Sequence, residues 1–208
     1  MDSRRAEAFS DGVFAVAITV LVFGLRLPGG GSNHSPVTSQ LLRAWPQYAA
    51  YVVSFLTIGI MWMNHHTIFG HISRIDRRLL VLNLLLLMGV VAIPFPTALV
   101  ADHLHDAGGT AAAVTYGLVM IAISCGFTAI WIYIGAHPRE LGAPAITRES
   151  FRTSAPRFTV GPLVYAAGTL VAAFLSAAAA VAIYGLLAVY YLFEHLPSPG
   201  GEPGQPGE

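Results

Sequence analysis

The feature that most constrains this chain is a succession of apolar runs, each long enough to cross the core of a lipid bilayer. The apolar centre of the first, residues 5–27, reads "GVFAVAITVLVFGL" (residues 12–25), with one threonine as its only polar side chain. A hydrocarbon core about 30 Å thick takes roughly 20 residues of helix to span. Within it every backbone amide must be paired inside the protein, which a helix does by itself. An all-α polytopic membrane protein is therefore expected. Composition agrees: 55% of the 208 residues are hydrophobic and 11% charged, with a mean hydropathy of +0.63. That is too little polar surface for a water-soluble domain.

Six spans can be read: residues 5–27, 45–71, 76–101 and 110–136, then two short helices within 157–195. Pro28 and the glycines after it stop the first span, and Pro46 sits in the first turn of the second. "IPFP" (residues 93–96) should kink the third, because proline removes a backbone donor. "FLSA" (residues 174–177) is the expected turn between the last two helices, which then have about 17 residues each, near the lower limit for a span. The unit expected from this pattern is a six-helix domain over residues 1–195. A Pro/Gly-rich tail, residues 196–208, should be disordered.

"SRRAEAF" (residues 3–9) loosely resembles the start of a twin-arginine signal. No small-x-small cleavage pattern follows the apolar run, so it is read as a retained first helix. Arginine placement sets the orientation. With the N-terminus inside, Arg4, Arg5, Arg74, Arg77, Arg78, Arg139, Arg148, Arg152 and Arg157 lie on the inner side, and only Arg26 and Arg43 outside. The bias places both termini in the cytoplasm and needs an even number of spans. The inner loop 137–156 mixes charges with Leu, Ile and Phe, so part of it is expected to lie along the interface as a helix. All eleven cations are arginine, and Ala, Gly and Pro abound, as in a GC-rich bacterial coding sequence. Zero net charge suggests no nucleic-acid partner, and the lone Cys125 cannot form an intrachain disulfide.

Polar residues inside the spans carry the functional information, because ionisable groups in a membrane are costly and face partners or water. Counting from the inner helix ends at about 1.5 Å per residue puts Asp11, His65 and Asn83 all roughly 9–10 Å deep, on different helices. Ser10 and Asn64 share that depth, and Arg5 can reach in from the end. The layer is either a structural staple or an ion pathway, gate or proton-sensitive latch; the presence of Arg5 and His65 favours a holding role for Asp11. Two metal readings are weaker. In "NHH" with His71, His66 and His71 point to different faces, and "DHLHD" (residues 102–106) is explained by solvation of an outer loop. No phosphate loop, nucleophile elbow or HExxH occurs, so no enzyme, cofactor or metal site is expected, and the absence of a TVGYG run removes the usual potassium-channel signature.

Arg5, Phe9, Ser10 and Asp11 form R-x-x-x-F-S-D, and the chain continues "DGVFAVAITVLV", "WMNHHTIF" with Trp62, "RIDRRLLVLNLLLL" and "PFPTAL". In these motifs it resembles the transmembrane protein 175 family, potassium channels of lysosomes and, in a shorter single-repeat form, of bacteria. The resemblance covers the first half of the chain well and the second half by hydropathy. It implies a homotetramer in a bacterial plasma membrane, with the first helices lining a central pore and potassium as the permeating ion. By position it puts the apolar constriction at Val16, Val20 and Phe23 and the selectivity-influencing residue at Thr19. The i, i+3, i+4, i+7 spacing of these four places them on one helix face. Ile or Leu is usual at the constriction, and here the layers are Val, Val and Phe. A proton-coupled transporter using Asp11 and His65 is the alternative.

Overall fold

The computed structural model describes residues 3–26, 36–143 and 148–194. In chain order the helices are α1 (Ser3–Val20), α2 (Val37–Arg43), α3 (Trp45–Gly70), α4 (Arg77–Ala92), α5 (Pro94–His103), α6 (Gly109–Ala136), α7 (Arg148–Phe174) and α8 (Ala177–Glu194). Four stretches are long and apolar enough to cross a membrane: 3–24, 45–70, 77–103 and 109–136. Shorter apolar helices cover Val160–Phe174 and Ala177–Tyr191. The chain is thus an all-α, multi-pass membrane fold.

The ends of these helices have local causes. Asp76 caps α4, its carboxylate accepting from the Leu79 N–H at 2.8 Å, which pairs one of the orphan amides of the first turn. The third span breaks at Ile93, where Pro94 has no N–H to continue the ladder; α5 restarts with that proline in its first turn. The last two helices meet at Leu175 and Ser176, within the expected turn.

Three details differ from the sequence reading. The first helix tightens into a 3₁₀ turn at Leu21–Gly24 and leaves helical geometry at Leu25; Leu27 and Pro28, where the span was expected to end, lie outside the described residues. The connection between the first two spans contains the short helix α2, which hydropathy did not single out. The connection after α6 turns through residues 138–142, and α7 begins at Arg148 rather than at 157, absorbing part of the stretch expected to lie on the interface. The tail 196–208 is outside the described residues.

Helix α6 is the hub, packing against α4, α5, α7 and α8, while α1 packs on α3 and α4 at one side. Close approach at the hub depends on Gly117: a Cβ there would fall 2.0 Å from the Thr169 Oγ1 of α7 and 2.4 Å from the Tyr184 hydroxyl of α8. Small residues at such crossings let membrane helices approach without a hydrophobic drive between them.

Candidate pore helix and its polar anchor

Helix α1 has two faces. Ser3, Ala6, Ser10, Phe14 and Ala17 are buried, followed by Leu21 in the 3₁₀ turn, a spacing that matches 3.6 residues per turn. The opposite stripe is open in the protomer: Phe9 is 56% exposed, Val16 57%, Val20 39% and Phe23 75%, with Gly12 and Thr19 also exposed. The four residues assigned to the constriction and to selectivity therefore share the unpacked face. The Thr19 hydroxyl donates to the Val16 carbonyl at 2.9 Å. Its hydrogen is thus occupied and its oxygen lone pairs are left free, the polarity a cation requires.

The buried face of α1 is tied to α3 and α4 by a chain of polar side chains. Asn83 Nδ2 donates to Ser10 Oγ at 3.0 Å, and Ser10 Oγ donates to the Ala6 carbonyl at 2.8 Å. With the amide so oriented, Asn83 Oδ1 is the acceptor at 2.8 Å from His65 Nε2, which must carry the hydrogen. His65 Nδ1 has no hydrogen-bond partner among the described residues. Ser10 and His65 are 0% exposed and Asn83 1%. The ring of Phe69 stacks on His65 with centroids 4.1 Å apart, and Phe14 lies at 5.4 Å. The chain joins three spans in a dry site, where each hydrogen bond is hard to replace with water.

A second set of contacts fastens the rim of α1. Asp11, half-buried, accepts from Trp62 Nε1 at 2.8 Å. One turn earlier, Glu7 meets His66 Nδ1 at 2.9 Å, and the His66 ring stacks on Trp62 at 6.0 Å. Residues 7 and 11 of α1 thus match 66 and 62 of antiparallel α3, each pair i,i+4 on its own helix.

The layer read from depth is therefore split in two. Ser10, Asn83 and His65 come together in the core. Asp11 takes Trp62 rather than Arg5 or His65, the partners expected for it, because it lies about 100° around the helix from Ser10. Arg5 is exposed on the open side and makes no ion pair with Asp11 among the described residues; Asn64 is half-buried beside the chain. His66, weighed above as a metal ligand, pairs with Glu7, and His71 Nδ1 donates to the Thr67 carbonyl. Between α5 and α6, His103 pairs with Asp106 at 2.8 Å. No group of three or more metal-type side chains occurs among the described residues.

Sequence reasoning missed two further polar contacts between helices. Ser54 and Thr97 hydroxyls are 2.8 Å apart, joining α3 to α5. The Tyr184 hydroxyl lies 3.2 Å from Thr169 Oγ1 and donates to the Ala113 carbonyl at 3.4 Å, joining α8 to α7 and α6. Isolated hydroxyls in apolar runs were the available signal, but a hydroxyl can bond within its own helix, so the pattern alone does not reveal these contacts.

The family described as endosomal/lysosomal potassium channel TMEM175 matches residues 5–94, which hold α1 from its third residue on, α3, α4 and every contact of the anchor. A potassium channel of Streptomyces collinus is 45% identical over 210 residues, covering 99% of this chain and 98% of that protein. The fold is similar to the crystal structure of a lysosomal potassium-selective channel TMEM175 homolog from Chamaesiphon minutus, with a TM-score of 0.80 and 34% identity over 92% of this chain and 97% of that one. The endosomal/lysosomal proton channel TMEM175 of Gallus gallus is 30% identical over 67% of this chain, a match that spans 30% of that longer protein. Matched along nearly its whole length by a relative of this similarity, and in its first half by the family itself, the chain belongs to the TMEM175 family.

Proposed function

We propose that this chain is the protomer of a homotetrameric, potassium-selective leak channel in a bacterial plasma membrane, with both termini cytoplasmic and residues 1–195 forming the channel domain. The observation that carries the reading is the two-sidedness of α1: one face is fixed by the Ser10–Asn83–His65 chain, and the other presents Val16, Thr19, Val20 and Phe23 unpacked. The names borne by the Streptomyces and Chamaesiphon proteins support potassium as the ion. One lining helix per chain requires several copies to enclose a path.

In this reading rings of Val16, Val20 and Phe23 form a narrow apolar stretch that disfavours water and so raises the barrier for a hydrated ion. Potassium holds its shell less tightly than sodium and loses less on entering. The Thr19 oxygens, their hydrogens committed to Val16, replace part of what is lost. Asp11 holds the wall through Trp62 and adds negative charge near the inner mouth. No cofactor takes part, potassium being the permeating ion, and the only partners are other copies of the chain and the bilayer.

The rival is a proton-coupled carrier or proton path through Asp11 and His65, favoured by the name of the vertebrate relatives. Uptake of rubidium into potassium-loaded liposomes separates the two. The channel gives uptake without a proton gradient that is suppressed when sodium replaces internal potassium. Uptake that saturates and requires a pH difference would establish the carrier.

A further inference from the structure

The inner end of α1 is attached to a part of the fold that takes no part in the pore stripe. Ser3, in the first turn of α1 and 5% exposed, donates its hydroxyl to the Ile72 carbonyl at 2.9 Å. Ile72 belongs to the linker 71–76 between α3 and α4. That linker is in turn gripped by the loop between α6 and α7. The N–H groups of Ser73 and Arg74 both donate to the Leu141 carbonyl at 3.1 Å. Ser73 Oγ donates to the Gly142 carbonyl at 3.2 Å, and Tyr133 at the end of α6 donates its hydroxyl to Asp76.

The loop is built to hold one shape. It is closed by Leu141 N–H to His137 O at 3.1 Å and Ala143 N–H to Pro138 O at 2.8 Å. Leu141 and Ala143 are buried, as are Ile72 and Ile75 of the linker. Gly142 has φ +60°, and a Cβ there would sit 2.1 Å from Ser73 Oγ. A side chain at this position is therefore opposed twice, by the left-handed backbone and by Ser73 of the linker.

We propose that the 137–143 loop is a positioning element for the inner mouth of the pore, acting on α1 through the 71–76 linker and the Ser3–Ile72 hydrogen bond. Ser3, Ser73 and Gly142 are positioning residues in this scheme, none of them on the pore stripe. Displacing the loop shifts the linker, and the linker carries the Ile72 carbonyl on which the first turn of α1 is hung. The scheme rests on α1 lining the ion path, and its test has one readout that does not need ion flow.

The experiment uses full-length protein with Cys125→Ser and Ala8→Cys, residue 8 being exposed on the inner part of α1. Rubidium flux and the rate of residue-8 modification by a water-soluble thiol reagent are both measured. Ser3→Ala and Gly142→Val should each change both readouts by roughly fivefold, the weight of about one net hydrogen bond. Ser3→Thr, which keeps the hydroxyl, should stay near the parent. Gly142→Asn with Ser73→Ala should perturb both readouts less than Gly142→Val, since asparagine tolerates the left-handed region and the clashing oxygen is gone, but should not reach the parent, since the bond from Ser73 to the Gly142 carbonyl is lost. If Gly142→Val does not fold, Ser3→Ala decides. An unchanged modification rate in Ser3→Ala, with the protein folded, overturns the proposal. A changed rate alongside zero flux in every protein, parent included, upholds the coupling and refutes the channel reading.

Discussion

Replacing Asn83 by leucine, of nearly the same size, removes both hydrogen bonds that cross from α4 to the other two helices. His65 Nε2–H loses its acceptor at 2.8 Å and Ser10 Oγ loses its donor at 3.0 Å, both side chains being 0% exposed. An unmatched buried donor costs about 1–3 kcal/mol, and measured hydrogen bonds between membrane helices average nearer 0.6 kcal/mol. The two losses together should weaken the protomer by about 2 kcal/mol, or roughly 4–8 °C of melting temperature for a chain of this size. Thermal unfolding of the detergent-solubilised protein measures it. Adding His65→Phe to Asn83→Leu should recover more than half of the loss. The second change removes the orphaned donor and sets a ring where Phe69 and Phe14 already form an aromatic pocket. A single variant that melts with the parent, or a double variant no better than the single one, would refute the view that this chain of bonds anchors α1.

Other consequences are as direct. Thr19→Ala should lower the potassium-to-sodium permeability ratio in bilayer recordings; an unchanged ratio removes Thr19 from selectivity. Val16→Ser should raise the leak, because a hydroxyl ring wets the stretch that the valines keep dry; unaltered conductance would place the barrier elsewhere. Trp62→Phe keeps the ring stack but takes the donor from Asp11, so it should reduce assembly on size-exclusion chromatography less than Asp11→Ala does. At Asp76, burial pushes the carboxyl up, but the Tyr133 hydroxyl, the Leu79 N–H and the charges of His137 and Arg78 outweigh it and hold the group below its ordinary 3.8. A depressed carboxylate stabilises the fold above its unfolded value and loses that contribution as pH falls through the folded one. Tyr133→Phe should therefore move acid unfolding to higher pH, which a pH titration of the melting temperature reads.

Depth in the membrane was legible in the sequence, and rotation about each helix axis was not. Counting residues inward placed Ser10, His65 and Asn83 in one layer, and they are one hydrogen-bonded chain. The same count put Asp11 with them, yet one residue further along α1 is about 100° of rotation, enough to turn its carboxylate to Trp62 at the rim. The break at Ile93 was legible because proline acts on its own backbone. The 3₁₀ turn at Leu21–Gly24 was not, since it depends on how the end of the helix docks, with the Arg26 N–H on Gln47 Oε1 at 3.1 Å. The stripe of Val16, Thr19, Val20 and Phe23 was visible as spacing. That this face, and not the Phe14 and Ala17 face, is left open follows from packing on α3 and α4.

The central claim is that potassium passes along the open face of α1 without the help of protons. The reversal potential of the reconstituted protein, with potassium on one side of a planar bilayer and sodium on the other, tests it most directly when repeated with and without a pH difference. The account predicts a potential set by the potassium gradient, indifferent to pH and reduced towards zero by Thr19→Ala. A potential that follows the proton gradient, or that is the same for sodium as for potassium, would contradict it.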